Sequence, residues 1–118
     1  MTEPFKSSRD VIVRTDDLAK ATEFYTSVLG FRITSKDANL AGFETGSFSL
    51  YVERGPRHGP VFELLVPSVM EAKARLVAAG CVVVEENPAI PRCYIRDPYG
   101  FTFNLSRTTA WEDAKPAE

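Results

Sequence analysis

Apolar residues recur along this chain with two periods. Leu18, Ala21, Tyr25, Val28 and Leu29 fall on one helical face, which predicts a first helix from about Leu18 to Leu29. Asp16 or Asp17 can cap it, since a carboxylate accepts hydrogen bonds from the free N–H groups of the first turn. Gly30 is the expected left-handed stop. Val69, Ala72, Leu76 and Ala79 repeat the stripe, and Gly80 stops a second helix over about 69–79. The remaining segments alternate with a period of two. They predict strands at 10–14, 31–35, 41–44 and 48–53, then 61–66, 81–86, 92–96 and 101–107. Turn residues separate them at Asp37-Ala38-Asn39, Gly46, Asn87-Pro88 and Asp97-Pro98-Tyr99-Gly100.

The two halves share a grammar. With Asp17 laid on Ser68, Leu18 meets Val69, Ala21 meets Ala72 and Tyr25 meets Leu76; one deletion then brings Gly30 onto Gly80. The expected fold is α+β: two tandem βαβββ modules forming a cupped mixed β-sheet with helices on the outer face. Module one covers about 8–54 and module two about 60–107, joined by a short loop from Arg54 to Pro60, within a single domain of 1–118. The tail 110–118 is polar and expected to fray.

Strand alternation gives each strand an apolar face for a helix to cover. The expected core is Phe24, Tyr25, Leu29, Phe48, Leu50, Phe62, Leu64, Leu76, Phe101, Phe103 and Leu105. The opposite face is mixed, with Asp10, Arg14, Tyr51, Glu63, Tyr94, Arg96 and Asn104. A solvated outer face usually carries Lys and Glu. Lys is nearly absent here, and the set suits a ligand surface with a few placed polar groups.

Composition narrows the classes. The chain has 118 residues, 44% hydrophobic and 25% charged, which is ordinary for a globular domain. Its net charge of -2, with Lys and Arg scattered, gives no footprint for nucleic acid. No stretch is apolar enough to span a membrane. The start of the chain lacks the apolar core of a signal peptide, so a cytoplasmic location is expected. The two cysteines, Cys81 and Cys93, form no CxxC, and His58 is the lone histidine. No Ser-His-Asp or Cys-His catalytic set is supported.

Two motifs carry a resemblance. The run TDDLAKATEFYTSVLGF, with Phe24, Tyr25, Leu29, Gly30 and Phe31, is followed much later by RDPYGFTFNL, with Asp97, Pro98 and Gly100. Together they resemble the vicinal oxygen chelate superfamily of glyoxalases, bleomycin-resistance proteins and extradiol dioxygenases, over residues 8–107. Asp97, Pro98 and Gly100 read as a hairpin turn rather than as chemistry.

The resemblance implies a chelate position on each of the first, fourth, fifth and eighth strands, which here fall on Asp10, Ser49, Val61 and Asn104. His, Glu or Gln usually stand there, and only Asp10 is a good ligand. A relocated metal site drawing on Asp10 with Glu53, Glu63 or His58 stays open. The expected function is therefore metal-independent binding of a small organic molecule, with sequestration of a toxic or antibiotic-like compound as one form of it. No cofactor or metal is implied. The ligand-binding set is Asp10, Arg14, Ser49, Tyr51, Val61, Glu63, Tyr94, Arg96 and Asn104. One alternative is a metal-dependent lyase, isomerase or dioxygenase with an atypical metal site. Another is a dimeric scaffold without a ligand. Half-open sheets with bare edges, and the pairing of modules across chains that the resemblance implies, lead to the expectation of a homodimer.

Overall fold

Asp17 starts the first helix in the computed structural model, which describes residues 5–107. Its carboxylate accepts from the Lys20 N–H at 3.1 Å. Helix α1 runs Leu18–Glu23 and passes into a π-helical turn over Phe24–Val28, closed by Leu29 N–H on the Phe24 carbonyl at 3.2 Å. Gly30 follows at φ 74. The helix thus ends where the stripe predicted, but its last turn is wider. An i→i+5 turn breaks the 3.6-residue spacing, so Val28 and Leu29 leave the face set by Leu18, Ala21 and Tyr25 and stand exposed.

The other elements are β1 (Lys6–Thr15), β2 (Arg32–Lys36), β3 (Leu40–Glu44), β4 (Ser49–Arg54), β5 (His58–Val66), α2 (Val69–Ala78), β6 (Val82–Asn87), β7 (Arg92–Arg96) and β8 (Thr102–Arg107). The order is βαβββ twice, an α+β fold with parallel and antiparallel strand pairs. Two boundaries differ from expectation by more than one residue. Strand β1 begins at Lys6, ahead of Asp10. Strand β5 begins at His58, so 58–60 are strand rather than loop. A glycine makes that early start possible. Gly59 sits at φ +105, and a Cβ there would stand 2.8 Å from the Ile12 carbonyl oxygen.

The contacts divide the chain into two units, Arg9–Val61 and residues 62–107 with 5–8. In the first unit the strand order is β2-β3-β4-β1, with β1 parallel to β4 and the other pairs antiparallel. Leu18, Ala41, Phe43, Leu50 and Val52 form its buried core, with Val11, Val13, Tyr25 and Phe31 packed around them. In the second unit the order is β5-β8-β7-β6, with β5 parallel to β8. Its core is Val66, Ala72, Cys81, Cys93, Ile95, Phe103 and Leu105. Ser68 caps α2 by accepting from the Glu71 N–H at 3.2 Å.

Five residues assigned to the core are exposed instead: Phe24, Leu29, Phe48, Phe62 and Phe101. Alternation assigns a side chain to a face but not to the part of it that a short helix covers. Phe62 and Phe101 pack on each other with ring centroids 5.3 Å apart, outside the cluster that includes α2 residues. The polar tail 110–118 lies outside the described residues. Among the described residues, no helix is long and apolar enough to cross a membrane.

Candidate functional site

Each unit carries part of the anticipated set on the face turned from its helix. In Arg9–Val61 the parallel register of β1 and β4 pairs Asp10 with Ser49, Ile12 with Tyr51 and Arg14 with Glu53. Alternation puts Leu50 and Val52 in the core, so Ser49, Tyr51 and Glu53 share the other face. Arg14 Nε donates to Glu53 Oε1 at 3.3 Å. The Arg14 methylenes lie over Gly55, where an added Cβ would stand 2.6 Å from Cδ. The Tyr51 ring lies against Gly42, its neighbour on β3. A Cβ at Gly42 would stand 3.0 Å from the ring and 2.7 Å from Ser35 Oγ.

Ser49 is already engaged. Arg9 donates to its hydroxyl at 3.2 Å, to both Glu44 carboxylate oxygens at 3.3 and 2.8 Å, and to the Gly46 carbonyl at 3.3 Å. The Arg9 hydrogen bond holds the Glu44 carboxyl below its usual range, helped by the Gly46 N–H. The fork is a fixed clamp at the ends of these strands. Val61, at 1% exposure, is packed away.

In the second unit, register aligns Glu63, Asn104 and Tyr94 across β5, β8 and β7. Asn104 is 6% exposed. Its Oδ1 accepts from the Cys93 N–H at 2.8 Å, and its Nδ2 donates to Ser106 Oγ at 3.3 Å. The Ser106 hydroxyl donates in turn to Glu63 Oε2 at 2.8 Å. Tyr94 is buried, with the Arg92 guanidinium 4.9 Å over its ring and Glu85 on Arg92 at 3.0 Å. Arg96 stands exposed at the end of β7, in register with Thr102.

Four residues outside the anticipated set shape these faces: Arg9, Gly42, Arg92 and Ser106. Ser106 and Arg92 were readable, because alternation puts them on the same faces as Asn104 and Tyr94. Nothing in strand parity marks Arg9, whose reach to Glu44 depends on where the strands end. Burial pushes the thiols of Cys81 and Cys93 up, and both are buried. That suits packing rather than nucleophilic chemistry.

The four positions that the resemblance assigns to a chelate do not, residue by residue, suit a metal. Val61 has no donor atom, Ser49 accepts from a cationic Arg9, and each end of the Asn104 amide holds a hydrogen bond within the protein. Asp10 is the one carboxylate among the four, and a divalent transition metal wants several imidazole, thiolate or carboxylate ligands. Among the described residues, no three or more His, Cys, Asp or Glu side chains are grouped to hold an ion.

Comparison with known proteins agrees on the fold. The family model for the bleomycin resistance protein-like N-terminal region matches residues 8–46, which span most of β1, the first helix, β2 and β3. An extradiol ring-cleaving dioxygenase from B. fuscum is 20% identical with a TM-score of 0.62, covering 88% of this chain and 33% of its own. An anaerobic substrate complex of homoprotocatechuate 2,3-dioxygenase from Brevibacterium fuscum is 22% identical with a TM-score of 0.61, over 88% of this chain and 37% of its own. A glyoxalase/bleomycin resistance protein/dioxygenase superfamily member from Vibrio splendidus 12B01 is 14% identical with a TM-score of 0.60, over 88% and 99% of the two chains. No curated protein matches the sequence. The chain spans about a third of the length of the dioxygenases. Its fold is that of the glyoxalase/bleomycin resistance/dioxygenase superfamily, and the family model covers the first of the two motifs that carry the vicinal oxygen chelate resemblance, while Asp97, Pro98 and Gly100 lie outside it.

Proposed function

We propose that the protein binds a small organic molecule without a resident metal, through the polar faces that carry Asp10, Arg14, Tyr51, Glu63 and Arg96. Of the other anticipated residues, Val61, Tyr94 and Asn104 are buried within their own units and Ser49 is held by Arg9. The carrying observation is that the chelate positions hold Asp10, Ser49, Val61 and Asn104, with Ser49 and Asn104 committed to hydrogen bonds within the protein. The Tyr51 ring against Gly42 supports an aromatic ligand, and the exposed Arg96 supports one with an anionic group. The bare edges of β2 and β6 within their units support a homodimer. Two free thiols, Cys81 and Cys93, accord with a reducing, cytoplasmic compartment.

A thermal-shift screen of aromatic carboxylates and planar antibiotics tests the reading. At least one compound is expected to raise the melting temperature of the native protein. Tyr51→Ala and Arg96→Ala are expected to abolish that shift while melting as cooperatively as the parent. A full response in both variants would place the ligand elsewhere. A second reading, a ring-cleaving or lyase-type enzyme with a relocated metal, is favoured by the two dioxygenases among the structural neighbours. Metal content separates the two.

A further inference from the structure

A backbone N–H can only donate, so the atom of the Asn104 amide that faces the Cys93 N–H at 2.8 Å is Oδ1. That fixes the flip of the amide and turns its NH2 toward Ser106 Oγ, 3.3 Å away. The Ser106 hydroxyl accepts there and gives its own proton to Glu63 Oε2 at 2.8 Å. The donors therefore run one way, from a buried amide to a half-buried carboxylate. As a carboxylate, Glu63 offers acceptors only. Ser106 takes one oxygen, and among the described residues no donor reaches the other, Oε1.

The fold does not demand this arrangement. Register makes Glu63, Asn104 and Tyr94 one row across β5, β8 and β7. The corresponding row of the other unit, across β1, β4 and β3, is Ile12, Tyr51 and Gly42. The same βαβββ module thus stands with an aliphatic side chain where Glu63 lies. Taking a carboxylate out of water costs free energy unless donors replace the water. Leu65, next on the same face of β5, is buried, and so are Asn104 and Tyr94 across the row. The protein supplies a single hydroxyl in this setting, which leaves the carboxylate short of donors.

We infer that Glu63 is the recognition group for an N–H donor on the ligand, an amidino or amino group of an organic molecule. Ser106 and Asn104 are the positioning residues that hold its acceptors in place. The inference rests on the binding reading above and narrows it, adding a donor group to the anionic one that Arg96 supports.

Benzamidine and benzoate test it, because they share a planar shape and have opposite hydrogen-bond polarity. Amide NMR shifts of the isotope-labelled native protein locate each probe. Benzamidine at millimolar concentration is expected to move the signals of Glu63 and Ser106, and benzoate to leave them in place. Glu63→Gln keeps an oxygen for the Ser106 hydroxyl, and with it the fold. It is expected to weaken benzamidine by roughly tenfold or more, the worth of one charge-assisted hydrogen bond. Ser106→Ala keeps the charge but frees the carboxylate, and is expected to weaken benzamidine several-fold. An unchanged affinity in that variant would overturn the positioning role. Benzamidine that leaves Glu63 and Ser106 unmoved, or that binds Glu63→Gln as tightly as the parent, would overturn the assignment of Glu63. The binding reading falls with it only if the thermal-shift screen also finds no compound.

Discussion

Phe103→Ala is expected to lower the unfolding free energy by about 3–5 kcal/mol, the range for emptying a buried phenylalanine site. Phe103 is 3% exposed and packs among Val66, Ala72, Cys93, Ile95 and Leu105. It comes from the middle strands of its unit, paired with Phe62 on β5 and Ile95 on β7. The backbone on both sides is fixed by ladder hydrogen bonds, which limits collapse around the cavity. Phe101, two residues earlier, has the same parity and a ring 5.3 Å away, yet is 41% exposed. Its truncation is expected to cost only about 1–2 kcal/mol, since much of its area already faces water. Urea titration of the two variants checks this. Equal losses would mean that Phe101 is shielded in solution, for instance by a second copy.

Asn104→Leu is expected to cost about 1–3 kcal/mol despite adding apolar volume at a buried position. It leaves the Cys93 N–H without its acceptor in a buried site, and that desolvation is not recovered. Ser106 and Glu63 lose their link to the amide as well. Ser106→Ala, at a half-buried position, should cost less than Asn104→Leu. Thermal or chemical denaturation of the pair decides whether the Asn104 amide serves the fold. A neutral Asn104→Leu would show that the fold does not depend on that amide.

Both helices were legible because cap, stripe and stop agreed: Asp17 with Gly30, and Ser68 with Gly80. Strand β7 was legible to the residue, since turn residues bracket it. What escaped depended on tertiary geometry. The π-turn at Phe24–Val28 follows from no local propensity. Thr22 and Thr26 hydroxyls donate back to the Leu18 and Thr22 carbonyls there, at 2.8 and 2.9 Å, a pattern that bends helices. The start of β5 at His58 hides in a Gly-Pro-rich stretch that reads as loop. At the candidate site, parity identified the face but not the hydrogen bonds that engage it. The fork of Arg9 on Glu44 and Ser49 joins residues 35 and 40 positions apart, a separation no periodicity reports.

The most direct test of metal-independent binding is the metal content of the native protein, purified without chelators or an affinity metal. It is read by elemental mass spectrometry alongside the melting temperature with and without a strong chelator. The predicted result is far less than one transition-metal ion per chain and the same melting temperature in both buffers. One zinc, nickel, iron or manganese per chain, with a drop of several degrees on chelation, would contradict it and direct attention to Asp10 with Glu53, Glu63 or His58 as ligands.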